Sequence, residues 1–219
     1  MAKEKQEFTT IVTSEARLSF CDTLYEPEIK VKDGKRFETY QCALLFPLTG
    51  GAPARAGETD LRGLKIAALN HVKVEKPDVF EALKKTMVEQ WPNMPEKISG
   101  KGFMFGQPFR NGDTKDWDGY AGTIFIRVKT NRAPGLFVGK RVAEPNEIYA
   151  GCYVRASLFP SIYAAVDGGA PGVRFVLKSL QFLRDGEPFT GTGNRVEDFP
   201  ALPEDTSTPA SSDDDLAGV

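Results

Sequence analysis

This sequence predicts a mainly β domain: a small closed or partly closed barrel of five or more strands, with one helical insertion and an acidic C-terminal tail. Three observations carry that expectation. Runs rich in Thr, Ile and Val alternate apolar and polar residues at period two, as strands packed on one side do. Only residues 57–91 show helical spacing. Strand and helix patterns do not alternate along the chain, which argues against a doubly wound parallel sheet.

Phe8 to Cys21 reads as the first strand, with Ala16, Leu18 and Phe20 on one side and Arg17 and Ser19 on the other. Asp33-Gly34 marks a hairpin turn. Phe37 to Phe46 reads as a long second strand whose continuous apolar end, Ala43 to Phe46, predicts a central position. Leu61, Leu64, Ala68 and Val72 then recur at helical spacing, and Phe80, Leu83, Met87 and Trp91 form a second stripe. Pro77 suits a first helical turn, and Asp78 and Glu81 suit its positive end. Gly100 to Tyr120 is a glycine-broken aromatic stretch. Thr123 to Lys129, Pro134 to Val142, Glu147 to Phe159 and Gly172 to Asp185 complete the strands. Phe46, Phe80, Phe175 and Phe182 are assigned to the core. The domain spans residues 1–196, the helical insertion 57–91 and the tail 197–219.

The formal net charge of −2 hides an asymmetry. Before Val196 there are 28 basic and 23 acidic side chains; from Val196 onward there are seven acids and no Lys or Arg. The body is therefore near +5 and the tail near −7, a split that points to a polyanionic partner for the body. The tail's three prolines, Ser/Thr run and scarce apolar residues cannot offset the entropy of ordering, so it is expected to be disordered. No apolar window reaches membrane-helix length, and Met1 to Glu7 lacks a signal-peptide core. A cytoplasmic protein without membrane association is expected.

Enzyme and cofactor signatures are missing. The sequence has no GxxxxGK[ST], HExxH or GxSxG motif. Cys21, Cys42 and Cys152 lack the close pairing of zinc ligands, and the one histidine, His71, sits in a helical stretch. Three reduced, buried thiols and no cofactor are expected. Asp113, Asp116 and Asp118 leave a metal-dependent nuclease as an alternative, and a structural or assembly protein with a β-barrel and a solubility tail is another.

Interleaved rings and cations carry the functional expectation. Single-strand binders combine a positive groove that tracks phosphates with aromatic faces on which bases stack. Phe125, Arg127 and Lys129 share the face of a strand whose other face is aliphatic. Tyr149, Tyr153 and Arg155 form a second group, Phe103, Phe105, Phe109 and Arg110 a third, and Lys115, Trp117, Tyr120 and Arg132 complete the set. A flexible polyanion can compete for such a groove. Asp213, Asp214, Asp215 and Leu216 suit a partner with a basic rim and a small apolar pocket.

Ala16-Arg17-Leu18-Ser19-Phe20, Tyr25-Glu26-Pro27, Tyr40 to Pro47, Glu147 to Arg155, Gly172 to Leu177 and Asp185-Gly186-Glu187 occur in an order that resembles the bacteriophage single-stranded DNA-binding proteins. That resemblance implies a five-stranded OB-fold that coats unwound DNA in phage replication and recombination. It also implies a tail that recruits phage or host replication and recombination proteins. The last residues, Leu216-Ala217-Gly218-Val219, lack the terminal aromatic that such tails often carry. Weaker binding of double-stranded DNA follows from shared phosphates, and a homo-oligomer is left open.

Overall fold

The computed structural model describes residues 10–32, 34–100, 102–165 and 169–189. Their strands are β1 (Ile11–Val12), β2 (Ala16–Ser19), β3 (Glu28–Lys32), β4 (Lys35–Pro47), β5 (Lys97–Gly100), β6 (Phe103–Gly106), β7 (Phe109–Asn111), β8 (Thr123–Thr130), β9 (Gly135–Val138), β10 (Arg141–Val142), β11 (Tyr153–Tyr163) and β12 (Gly172–Arg184). Helices α1 (Leu61–Glu75) and α2 (Pro77–Glu89) lie between β4 and β5. Phe8 and Thr9 of the first predicted strand fall outside the described residues, as does the whole predicted tail.

Five strands close a ring in the order β2–β4–β8–β12–β11, with β11 returning to β2. Neighbours are antiparallel except β8 and β12, which run parallel. This is a mainly β, OB-like barrel with a two-helix insertion. The long β4 earns its central place by pairing with β2 on one side and with β8 over Tyr40 to Pro47 on the other.

The inner faces supply Leu18, Leu44, Phe46, Ile124, Ile126, Val128, Val154 and Phe175, all buried in one cluster. The helices join it through Leu64, Ala68 and Val72 of α1 and Val79, Leu83 and Met87 of α2. Asp60 caps α1 by accepting from the Gly63 N–H at 2.8 Å, and Pro77 starts α2 where its missing N–H costs nothing. Phe80 and Phe182 are half-buried and pack against the cluster rather than inside it.

Three expectations change. The predicted first strand is two, β1 and β2, because the chain turns between Thr13 and Glu15 to bridge Thr59. Phe20 does not continue the inward row of Ala16 and Leu18: its backbone takes φ 48 and its ring is 49% exposed. The predicted strand from Glu147 begins only at Tyr153, since Glu147 to Cys152 form turns, so Tyr149 and Tyr153 do not share a strand face.

Candidate nucleic-acid interface

Residues opposite one another on paired strands point to the same side of a sheet. Following the registers outward from β12 gives Arg184 opposite Tyr153, Tyr153 opposite Arg17, Arg17 opposite Leu45, Leu45 opposite Phe125, and Phe125 opposite Arg110. One line across six strands therefore carries three arginines and two rings on the outer face of the barrel. The next rows add Arg127, opposite Ala43, and Lys129, opposite Gln41.

Rings and cations interlock along this line. The Arg184 guanidinium lies 3.4 Å from the centre of the Tyr153 ring, and Arg17 lies 5.9 Å from the same ring. At the other end Phe20 meets Trp117 edge-on at 4.9 Å, Trp117 meets Tyr120 at 5.0 Å, and Tyr120 meets Phe125 at 5.0 Å. The Lys115 ammonium sits 5.2 Å from the Trp117 ring centre. Phe20 and Trp117 present open ring area to solvent, with Trp117 39% exposed. A cleft of about 270 Å³ opens beside Arg17, Leu45, Tyr153 and Arg184.

The C-terminal end of the described chain crosses this face. Arg17 donates to the carbonyls of Gly151 (3.1 Å) and Glu187 (2.7 Å), and its guanidinium lies over the Phe189 ring at 4.2 Å. Phe189 packs on a small outer cluster of Ala43, Leu45, Tyr120 and Phe125. Gly119 (φ +73) and Gly151 (φ +109) make room for it: a Cβ on Gly119 would lie 2.3 Å from the Phe189 ring, and one on Gly151 2.2 Å from the Glu187 carbonyl oxygen.

Of the residues singled out from sequence, Arg110, Lys115, Trp117, Tyr120, Phe125, Arg127, Lys129 and Tyr153 come together here. Tyr120 and Phe125 are on the expected side but are each only 1% exposed. They form the floor of the ring cluster and offer no open face to a base, so the stacking role expected of Tyr120 and Phe125 is not open to them. Phe105 and Phe109 are core residues, because the alternation of their short strands turns both inward. Phe103 is half-buried against the same core. These three do not line a groove mouth.

Tyr149 sits in a turn, its hydroxyl donating toward Asp185 (3.0 Å). Arg155 is spent on an ion pair with Glu58 (3.0 Å) and a bond to Gln181 (2.7 Å). Arg132 lies exposed just past the end of β8. Arg110 is partly committed too, pairing with Glu96 at 3.1 Å.

Asp213, Asp214, Asp215 and Leu216 lie outside the described residues. The sequence reading missed Arg17, Phe20, Arg184 and Phe189. Arg17 was legible as the outward member of the β2 alternation; Phe20 depends on its own turn, Arg184 on the register shift that sets it opposite Tyr153, and Phe189 on the path of the chain after β12.

Asp113 accepts a bond from the Gly122 N–H at 2.6 Å, so it fastens the aromatic loop. Among the described residues no three His, Cys, Asp or Glu side chains are grouped to hold a metal. Cys21, Cys42 and Cys152 are buried free thiols. Burial pushes Cys21 up to about 12 and Cys152 up to about 11, and raises Cys42 as well.

The fold and this face define a small barrel with a cationic, ring-bearing outer sheet. A family model described as the ssDNA-binding protein of Enterobacter phage Enc34 matches residues 66–212. The chain belongs to that family of phage single-stranded DNA-binding proteins. Protein p50 of Acyrthosiphon pisum secondary endosymbiont phage 1 is 32% identical over 135 residues, which cover 57% of this chain and 70% of p50.

A C-terminally truncated single-stranded DNA-binding protein from bacteriophage Enc34 superimposes with a TM-score of 0.50 at 19% identity, over 82% of this chain and 88% of that one. The Enc34 protein in complex with ssDNA gives 0.49 at 17% identity, over 86% and 97%. No helix among the described residues is long and apolar enough to cross a membrane.

Proposed function

We propose that this chain binds single-stranded DNA without sequence preference and catalyses no reaction. The observation that carries the reading is the row Arg184, Tyr153, Arg17, Leu45, Phe125 and Arg110 across the outer sheet. Its cations, with Arg127, Lys129 and Lys115 beside them, hold phosphates. Trp117 and Phe20 offer stacking faces, and the Tyr153 ring supports the Arg184 guanidinium that lies over it. Stacking contributes about 1–3 kcal/mol per base and tolerates any sequence. Unstacked bases are available only in a single strand, so duplex binds more weakly through phosphates alone.

In this reading the domain runs through residue 196 and works in the host cytoplasm during phage replication and recombination. Residues 197–219 compete with DNA for the same cations, and Asp213, Asp214, Asp215 and Leu216 engage partner proteins. Phe189 supports the competition, since it lies on the outer face only eight positions before Glu197.

A titration of labelled oligo-dT and of a duplex at two salt concentrations tests the reading. Binding should favour the single strand and weaken with salt, with a log–log slope of roughly −0.7 per phosphate bound. Equal affinity for both forms, or none for either, overturns it. Incubation of DNA with magnesium or manganese should leave the strand intact; cleavage would favour a nuclease.

A further inference from the structure

The cleft beside Arg17 does not end at the sheet. It shares Glu15, Pro47, Gly50, Gly51 and Ala52 with a second cleft of about 390 Å³. The far wall of that second cleft is formed by Arg62 and Lys65 of α1 and by Trp91, which follows α2. The Lys65 ammonium lies 3.7 Å from the centre of the Trp91 ring. Trp91 is held in turn by an edge-on approach to the core ring of Phe109 at 5.8 Å. A cation over an anchored ring therefore recurs here, as in the pair of Arg184 and Tyr153.

Between the clefts the loop itself is small, Gly50, Gly51 and Ala52, and it lies against the side chains of Pro47 and Glu15, so a polymer crossing there passes close to the loop backbone. The nearby acids are occupied. Glu15 pairs with Arg184 at 2.7 Å, and Asp60 accepts from the Gly63 N–H at 2.8 Å. Arg62 is exposed.

We propose that the second cleft is a further binding site for the same polynucleotide strand, with phosphates held by Arg62 and Lys65 and one base stacked on Trp91 once Lys65 swings from that ring to a phosphate. The helical insertion then lengthens the path that the strand takes over the barrel. This rests on the reading of the outer sheet as a single-strand interface.

The test compares oligo-dT of about 4 nucleotides, the short end of what one barrel of this kind holds, with oligo-dT of about 12 nucleotides, well within its longer range. The full-length protein, Arg62→Ala, and Arg62→Ala with Lys65→Ala are titrated by anisotropy. The long oligonucleotide should bind the double variant about fivefold more weakly, with a salt slope shallower by about 0.7 for each phosphate no longer held. Arg62→Ala alone should show part of that weakening. The short one should bind all three proteins alike.

In a Trp117→Phe background Trp91 is the sole indole, and its emission should be quenched by the long oligonucleotide but not by the short one. Unchanged affinity and slope with the long oligonucleotide overturn the second site, as do equal losses at both lengths or a Trp91 that stays unresponsive at concentrations where anisotropy shows the Trp117→Phe protein saturated with the long oligonucleotide. If the full-length protein binds neither oligonucleotide, the proposed function falls with it. If it binds both while the variants match it, only the second site falls.

Discussion

The Arg17 guanidinium covers the ring of Phe189 at 4.2 Å while donating to two backbone carbonyls, those of Gly151 and Glu187. One side chain of β2 thus ties the chain after β12 to the outside of the barrel. A cation over an aromatic face contributes about 0.5–2 kcal/mol. Phe189 adds apolar burial against Leu45 and Phe125. Phe189→Ala should therefore lower stability by about 2 kcal/mol. Urea unfolding checks this, and the midpoint should drop with little change in slope.

Two phenylalanines on the same outer face should behave in opposite ways. Phe125 is buried beneath Trp117 and Tyr120, so Phe125→Ala should cost about 3–5 kcal/mol of stability. Phe20 is exposed and holds φ 48, a backbone region that costs an L-residue about 1–2 kcal/mol. Such strain concentrates at functional sites. Phe20→Ala should leave urea stability within about 1 kcal/mol while weakening oligo-dT binding by about 1–3 kcal/mol. Loss of stability without loss of binding at Phe20 would remove it from the interface.

Particular residues show what was legible in the sequence. The helices were, because Leu64, Ala68, Val72, Leu83 and Met87 recur at helical spacing and all prove buried. The side to which Phe125, Arg127 and Lys129 point was legible too, since strand alternation fixes it. Whether Phe125 is open or covered was not. That depends on the loop carrying Trp117 and Tyr120 and on Phe189, which is distant in sequence but adjacent in space. Phe105 and Phe109 misled because a glycine-broken stretch hides strands of three and four residues, too short to show a period.

Arg127 and Lys129 lie past the ring cluster on β8, where a strand leaving Trp117 would next meet charge. Arg127→Ala and Lys129→Ala should each weaken binding to all sequences alike and make the salt slope shallower by about 0.7. Anisotropy titrations over a salt series, with oligo-dT and a mixed-sequence oligonucleotide, read both quantities. A loss confined to one sequence would assign these side chains to bases instead.

Deletion of residues 197–219 removes seven acids and no base. If those acids compete for Arg17, Arg127 and Lys129, the shortened chain should bind single-stranded DNA more tightly, most of all at low salt where charge is least screened. The difference should narrow as salt rises. Weaker binding by the shortened chain would refute competition.

Acid should loosen the protein through two carboxylates. Glu147 is held down to about 2 from the ordinary 4.5, chiefly by hydrogen bonds from the Arg141 guanidinium and then by the Glu144 N–H. Burial alone would raise the Glu58 carboxyl, but the Arg55 N–H and the Arg155 guanidinium outweigh it and the net shift is downward. A carboxyl that is harder to protonate folded than unfolded stabilises the fold fully above its unfolded pKa and loses that contribution as pH falls toward its folded value. For Glu147 the loss runs from about 4.5 down to about 2. Glu147→Gln and Glu58→Gln should each be less stable than the parent at neutral pH. The Glu147→Gln midpoint should converge on the parent's as the pH is lowered through that window, and the Glu58→Gln midpoint should converge as the pH falls below the ordinary carboxylate range. Midpoints that fall in parallel with the parent's down to about pH 2.5 would show that neither ion pair carries the acid sensitivity.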